Sequence, residues 1–111
     1  MATAYKVLGQ VSPAANVNTD LYVVGVGKSA VVSTLSVANT GTVPSVPVWV
    51  YVRPAGEAVA TKHTILPGVG VDPADAAFFT IGLTLAATDV VTVRTSDPNM
   101  AFSLFGQEIT P

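Results

Sequence analysis

From residue 46 to residue 52 every second position is valine, in Val46-Pro47-Val48-Trp49-Val50-Tyr51-Val52-Arg53-Pro54, and a two-residue period predicts a β-strand. The alternate positions hold Pro47, Trp49, Tyr51 and Arg53 where a water-facing strand would carry small polar residues. From 29 to 39 the same period puts Val31, Ser33, Leu35 and Val37 on one face, and Val32, Thr34, Ser36 and Ala38 on the other. Two further runs are apolar on both faces. Phe79, Ile81, Leu83 and Leu85 oppose Phe78, Thr80 and Thr84, while Met100, Phe102, Leu104 and Gly106 oppose Ala101, Ser103, Phe105, Gln107 and Ile109. In all, about eight strands are predicted at roughly 10–14-residue spacing. They fall near 3–10, 20–26, 29–39, 46–53, 60–66, 77–85, 89–95 and 100–109.

Turn chemistry separates these runs. Ser12-Pro13-Ala14-Ala15, Gly25-Val26-Gly27-Lys28 and Asn39-Thr40-Gly41-Thr42 each end one, the last through residues that tolerate a positive φ. Arg53-Pro54-Ala55-Gly56-Glu57, Leu66-Pro67-Gly68-Val69-Gly70, Asp72-Pro73-Ala74-Asp75 and Asp97-Pro98-Asn99 read as further turns. Residues 55–60 and 72–77 have room for one helical turn each. Such short connections favour antiparallel neighbours, so the expected fold is an all-β antiparallel sandwich, jelly-roll-like, in one domain spanning 1–111. Pro47, which lacks an N–H, places the 46–53 strand at a sheet edge.

Composition reinforces the strand reading: 20 valines and 13 threonines stand against three isoleucines and seven leucines. It also raises a question of cover. Only 11% of residues are charged, against about 25% in an ordinary domain. With a mean hydropathy of +0.55 the chain has more apolar surface than polar groups to screen it. Double-sided strands then imply a further layer, supplied by another copy or a larger assembly. A net charge of −2 provides no basic field for nucleic acid, and no apolar stretch reaches the length of a membrane helix. The first six residues lack the charged start and apolar run of a signal peptide, so the mature chain is expected to begin here.

Candidate chemistry is sparse. There is no cysteine, and the one histidine, His63, has no neighbouring nucleophile or carboxylate motif that would make it a catalytic base or a metal ligand. Asp72 and Asp75 lack calcium-loop spacing, and Asp20, Asp89 and Asp97 stand at strand entries or turns. Gly25-Val26-Gly27-Lys28-Ser29 lacks the full phosphate-loop pattern. No catalytic, cofactor or metal residues are assigned. Trp49, Tyr51 and Arg53 suit either a protein contact surface or a sugar-stacking platform. With Phe102 and Phe105 they form the expected interface set.

Several stretches are similar to small virion structural proteins of tailed phages, particularly those of cyanobacteria. They are Thr3-Ala4-Tyr5-Lys6-Val7-Leu8-Gly9-Gln10, Asn18-Thr19-Asp20-Leu21-Tyr22, Ser29-Ala30-Val31-Val32-Ser33-Thr34-Leu35 and Val52-Arg53-Pro54-Ala55-Gly56. Lys62-His63, the run from Leu83 to Val93, and Phe102 to Ile109 continue the pattern, while 43–50 departs from it in its Pro and Trp content. The resemblance implies a non-enzymatic structural protein without cofactors. Its nearest type is a capsid cement or decoration protein that sits as a homotrimer on the shell and contacts the major capsid protein or other virion proteins. A tail-fibre or baseplate module recognising a host glycan is the alternative. Either implies a virion location, with the capsid surface favoured over the tail.

Overall fold

The computed structural model describes residues 2–111. Eight strands form in chain order: β1 (Ala2–Val11), β2 (Thr19–Val23), β3 (Ser29–Asn39), β4 (Val46–Arg53), β5 (Thr64–Val71), β6 (Ala76–Leu85), β7 (Val90–Thr95) and β8 (Met100–Thr110). Two 3-10 turns, Pro54–Gly56 and Thr61–His63, are the only helical pieces among the described residues. The strands split into two antiparallel four-stranded sheets, ordered β1-β8-β3-β6 and β2-β7-β4-β5. β1 pairs with β8, β2 with β7, β3 with β6 and β4 with β5, so the chain is one long ribbon doubled back at the β4–β5 connection. Rolling that ribbon brings β8 against β3 and β7 against β4. This nesting is the jelly roll, which agrees with the expected fold class.

The core lies between the sheets. Val46, Val48 and Val50 of β4 are at most 1% exposed and meet Leu35, Val37, Met100, Phe102 and Leu104 from the facing sheet. The double-sided runs also divide as expected, with Phe79, Ile81, Leu83 and Leu85 turned inward and Phe78 outward.

β3 is corrected by one residue. Between Val32 and Thr34 its pairing with both neighbours shifts: Ser33 is an extra residue against β8, whereas β6 has one residue more than β3 at the same place. Ala30 and Val32 therefore point inward before it, and Leu35 and Val37 after it. Val31 leaves the face that strict alternation gave it, because a bulge reverses the parity of everything beyond.

Sheet position is corrected too. β4 lies inside its sheet, between β7 and β5, and the edge strand is β5. Pro47 is tolerated because β7 pairs with β4 only from Val48 onward. The expected strand 60–66 begins at Thr64 and continues to Val71, straight through Leu66-Pro67-Gly68-Val69-Gly70. On an edge strand Pro67 need not donate to a second neighbour, and Gly68 (φ 80°) forms a bulge opposite Trp49.

The Asn39–Thr42 turn departs from expectation as well, since its positive φ falls at Ser45 and not at Asn39 or Gly41. Buried Asn39 instead donates through Nδ2 to the carbonyls of Val43 and Val71, both at 2.9 Å, and accepts from the Gly41 N–H at 3.0 Å. One amide thus ties the end of β5 to the turn that leaves β3.

Candidate functional site

The interface set of Trp49, Tyr51, Arg53, Phe102 and Phe105 is divided by the fold among two outer faces and the core. Phe102, 1% exposed, packs wholly between the sheets and has no surface to offer a partner. Its parity on β8, shared with Met100 and Leu104, puts it there.

Trp49, Tyr51 and Arg53 project from the outer face of β2-β7-β4-β5, each half-buried. Arg53 is spent internally. Its Nε donates to Thr92 Oγ1 at 2.9 Å, Nη2 pairs with Asp20 Oδ1 at 3.0 Å, and Nη1 donates to the carbonyls of Gly56 and Glu57. The guanidinium fork thereby clamps the β4–β5 connection onto the sheet. Trp49 and Tyr51 instead floor a groove of about 420 Å³ walled by Val59, Ala60, Thr61, Thr64 and Pro67. Gly68 makes the wall possible, since a Cβ there would stand 3.2 Å from Trp49 Nε1. Across the indole, Arg94 of β7 lies 5.6 Å from the ring centroid, within cation–π range. The other Lys and Arg side chains each meet a carboxylate, whereas Arg94 pairs with none among the described residues, and its buried Nε lacks an acceptor. Sequence reading missed Arg94. Its signal was the alternation Val90, Thr92, Arg94 against Val91, Val93, Thr95, which becomes informative once β7 is known to be the partner of β4.

Phe105 belongs to the outer face of the other sheet. With Tyr5, Lys6, Val31, Ser33, Gly106 and Gln107 it lines a groove of about 380 Å³. Around this groove Tyr5 is 83% exposed and Phe78 70% exposed, set among uncharged polar side chains such as Ser36, Thr80, Thr84 and Ser103. Val7 adds to this face on β1. No charged side chain projects from the face among the described residues.

The titratable groups are engaged in holding the fold. Glu108 is drawn on at one end of the sandwich: Oε2 accepts from the Tyr22 hydroxyl at 2.7 Å, and Oε1 meets Lys28 Nζ at 3.2 Å and Lys6 Nζ at 3.4 Å. The Tyr22 hydroxyl, then Lys28, hold this carboxyl below its ordinary range, while burial and the carboxylate together push the Tyr22 phenol well up. Lys62, and after it His63, lower the Glu57 carboxyl. Buried His63 accepts from the Ala60 N–H at Nδ1, which assigns its proton to Nε2, 3.5 Å from Glu57 Oε1 and short of a hydrogen bond. Asp72 receives Ser45 N–H, Asp89 receives the N–H groups of Ala55 and Ala86, and Asp97 receives that of Asn99. Each aspartate closes a turn. Among the described residues no three potential metal ligands gather. The two grooves, and the uncharged sheet face with exposed Tyr5 and Phe78, are the surface features that these internal bonds leave uncommitted.

Such a molecule belongs, by its strand order, to the eight-stranded jelly rolls. Neither a scan against protein-family models nor a search of curated proteins finds a match. Among solved structures the chain is similar to the VP2 subviral particle of infectious bursal disease virus, at 11% identity and a TM-score of 0.52 over 96% of this chain and 32% of that one. The structure of the Gx strain of the same virus matches at 12% identity and a TM-score of 0.49, over 96% and 30%. The chain thus spans about a third of the length of these proteins, and the likeness to the VP2 subviral particle is one of fold.

Proposed function

We propose that this chain is a non-enzymatic virion structural protein, acting as one sandwich domain over 1–111. Its particular role is that of a capsid cement or decoration protein of a tailed phage, at the capsid surface. The observation that carries this reading is the charge-free outer face of β1-β8-β3-β6, with Tyr5 and Phe78 held out into solvent. A face of that kind is a contact surface waiting for cover. The fold's use in a subviral particle and the sequence resemblance to phage virion proteins support the same conclusion. Binding only the assembled shell, such a protein stabilises it by mass action, and several copies acting together multiply weak contacts to the major capsid protein. The resemblance implies three copies per unit.

Imaging virions with and without the protein tests this: added density at joints between capsomers, and shells that open at lower temperature without it, are expected. Density confined to the tail would overturn the capsid role. Trp49→Ala should weaken attachment while leaving the far-UV circular dichroism unchanged. A tail-fibre or baseplate module that recognises a host glycan is the second reading, favoured by the groove over Trp49 and Tyr51 with its threonine-bearing wall. Glycan-array binding by the isolated chain, abolished by Trp49→Ala, would establish it.

A further inference from the structure

The Lys and Arg side chains differ in how their charge is met. Lys6 and Lys28 share Glu108, Arg53 pairs with Asp20 at 3.0 Å and Lys62 with Glu57 at 3.2 Å. Arg94 meets no carboxylate among the described residues. Its Nε is buried without an acceptor, and the indole of Trp49, 5.6 Å away, offers only the weaker attraction of an aromatic face. A guanidinium held half-buried and unpaired gains more from an anion than a fully hydrated lysine does, because part of its hydration has already been lost.

Strand register fixes where such an anion would sit. Arg94 on β7 and Pro67 on β5 are both direct cross-strand partners of Trp49, so the three form one row across the outer face. In the next row Thr64 flanks Tyr51. The groove of about 420 Å³ thus lies over Trp49 and Tyr51 on the β5 side, and Arg94 stands on the other side of the indole. A ligand that fills the groove and crosses Trp49 brings its next group onto the guanidinium, whose planar fork matches a carboxylate.

The groove selects the rest of the ligand. Its floor is aromatic and its wall carries the hydroxyls of Thr61 and Thr64; with the Tyr51 hydroxyl, these are engaged in no side-chain hydrogen bond among the described residues. A flat aromatic surface bordered by free hydroxyls fits a pyranose, which presents C–H bonds on its faces and hydroxyls at its rim. An acidic peptide is fitted less well. To satisfy its backbone it would add to β5 as a strand, where Pro67 has no N–H to give and the Gly68 bulge breaks the ladder. The neighbouring charges are closed pairs, Arg53 with Asp20 beyond Tyr51, and Lys62 with Glu57 in the connection that forms the wall. Arg94 therefore sets the sign of the ligand.

We infer that this groove binds a carboxylate-bearing saccharide, with one ring stacked on Trp49 and the acid group of the same or the adjoining sugar on Arg94. This rests on the reading of the groove as a glycan site and names the class of glycan. The Tyr5–Phe78 face lies on the opposite sheet and stays free for a shell partner.

Trp49 is the one tryptophan of the chain, so its fluorescence reads occupation of the groove directly. The full chain is titrated with oligogalacturonate, oligomannuronate and sialyllactose, each beside its methyl ester, which keeps the sugar rings and removes the charge. Saturable binding of at least one acid, about tenfold or more tighter than its ester, is expected, as is loss of that advantage in about 1 M salt. Arg94→Gln should bring the acid down to the affinity of the ester. Lys28→Gln, which removes the same charge at the far end of the sandwich, should leave the preference intact. Circular dichroism checks the fold of both variants, and the ester and salt comparisons on the natural chain decide the matter without them. Esters that bind as tightly as the acids overturn the inference and leave the glycan reading standing. No binding of any of these sugars up to about 10 mM overturns both. A response to polyglutamate equal to that of the acids assigns the site to an acidic protein partner and overturns the sugar.

Discussion

Replacing Glu108 by Gln keeps the size of the side chain and removes its charge, which isolates the electrostatic part of the cluster that closes one end of the sandwich. The carboxylate is 13% exposed and accepts the Tyr22 hydroxyl at 2.7 Å. A charge-assisted bond of this kind contributes about 1.5–3 kcal/mol, and Gln retains an oxygen that preserves roughly half of it. Lys6 and Lys28 are 46% and 41% exposed, so after solvent screening the two together add at most about 1 kcal/mol. Glu108→Gln should therefore cost about 1–2 kcal/mol at pH 7, and Glu108→Ala, which also strands the tyrosine hydroxyl, about 2–4 kcal/mol. The pH dependence follows from the lowered carboxyl value. Because folding favours the ionised form, the contribution is complete above the unfolded value of 4.5 and is lost as pH falls through the folded value beneath it. Urea unfolding of both chains at one fixed protein concentration, from pH 7 to pH 3, should show a stability gap that closes in that acid range. Every other carboxyl titrates equally in the two chains and cancels in the difference. A gap that persists unchanged at pH 3, or none at pH 7, would refute the assignment of this carboxylate as the charged centre of the cluster.

Three other substitutions test the fold where sequence and structure disagreed or where packing is tightest. Phe102→Ala should cost about 3–5 kcal/mol in urea unfolding, as expected for a cavity between the sheets; a loss below about 1 kcal/mol would return Phe102 to the surface. Asn39→Ala removes three hydrogen bonds at a buried amide and should lower stability by about 2–4 kcal/mol, with faster amide exchange at Gly41. At Gly9 an added Cβ would lie 2.1 Å from the Leu21 carbonyl oxygen, so Gly9→Ala must push β1 away from β2. A melting temperature lowered by less than about 4 °C would show that the two strands can separate without penalty.

The two outer faces differ in how they could have been found. Reading Val46-Pro47-Val48-Trp49-Val50-Tyr51 at period two already separates core valines from outward aromatics, and the observed burial follows that division. Within the same stretch Arg53 looks like a contact residue until the chain is folded, when Asp20, Thr92 and the β4–β5 connection take its donors. The uncharged face around Tyr5, Phe78 and Phe105 draws on four strands spread over nearly the whole chain. No local window contains it.

What the chain determined by itself was the number of strands, their approximate limits and, within each unbroken run, which side chains share a face. Those are properties of a two-residue repeat and of turn residues, both of which act over a few neighbouring positions. The tertiary structure decided the rest. An irregularity at Ser33 exchanges the faces of β3 because β8 counts one residue fewer there and β6 one residue more, and Pro67-Gly68 is a bulge in an edge strand only because β5 has one neighbour. Arg94 reaches Trp49 because β7 lies beside β4 in the rolled ribbon. Sheet order and register depend on pairing between residues far apart in sequence, and the hydrogen bonds that settle them do not exist until those strands meet.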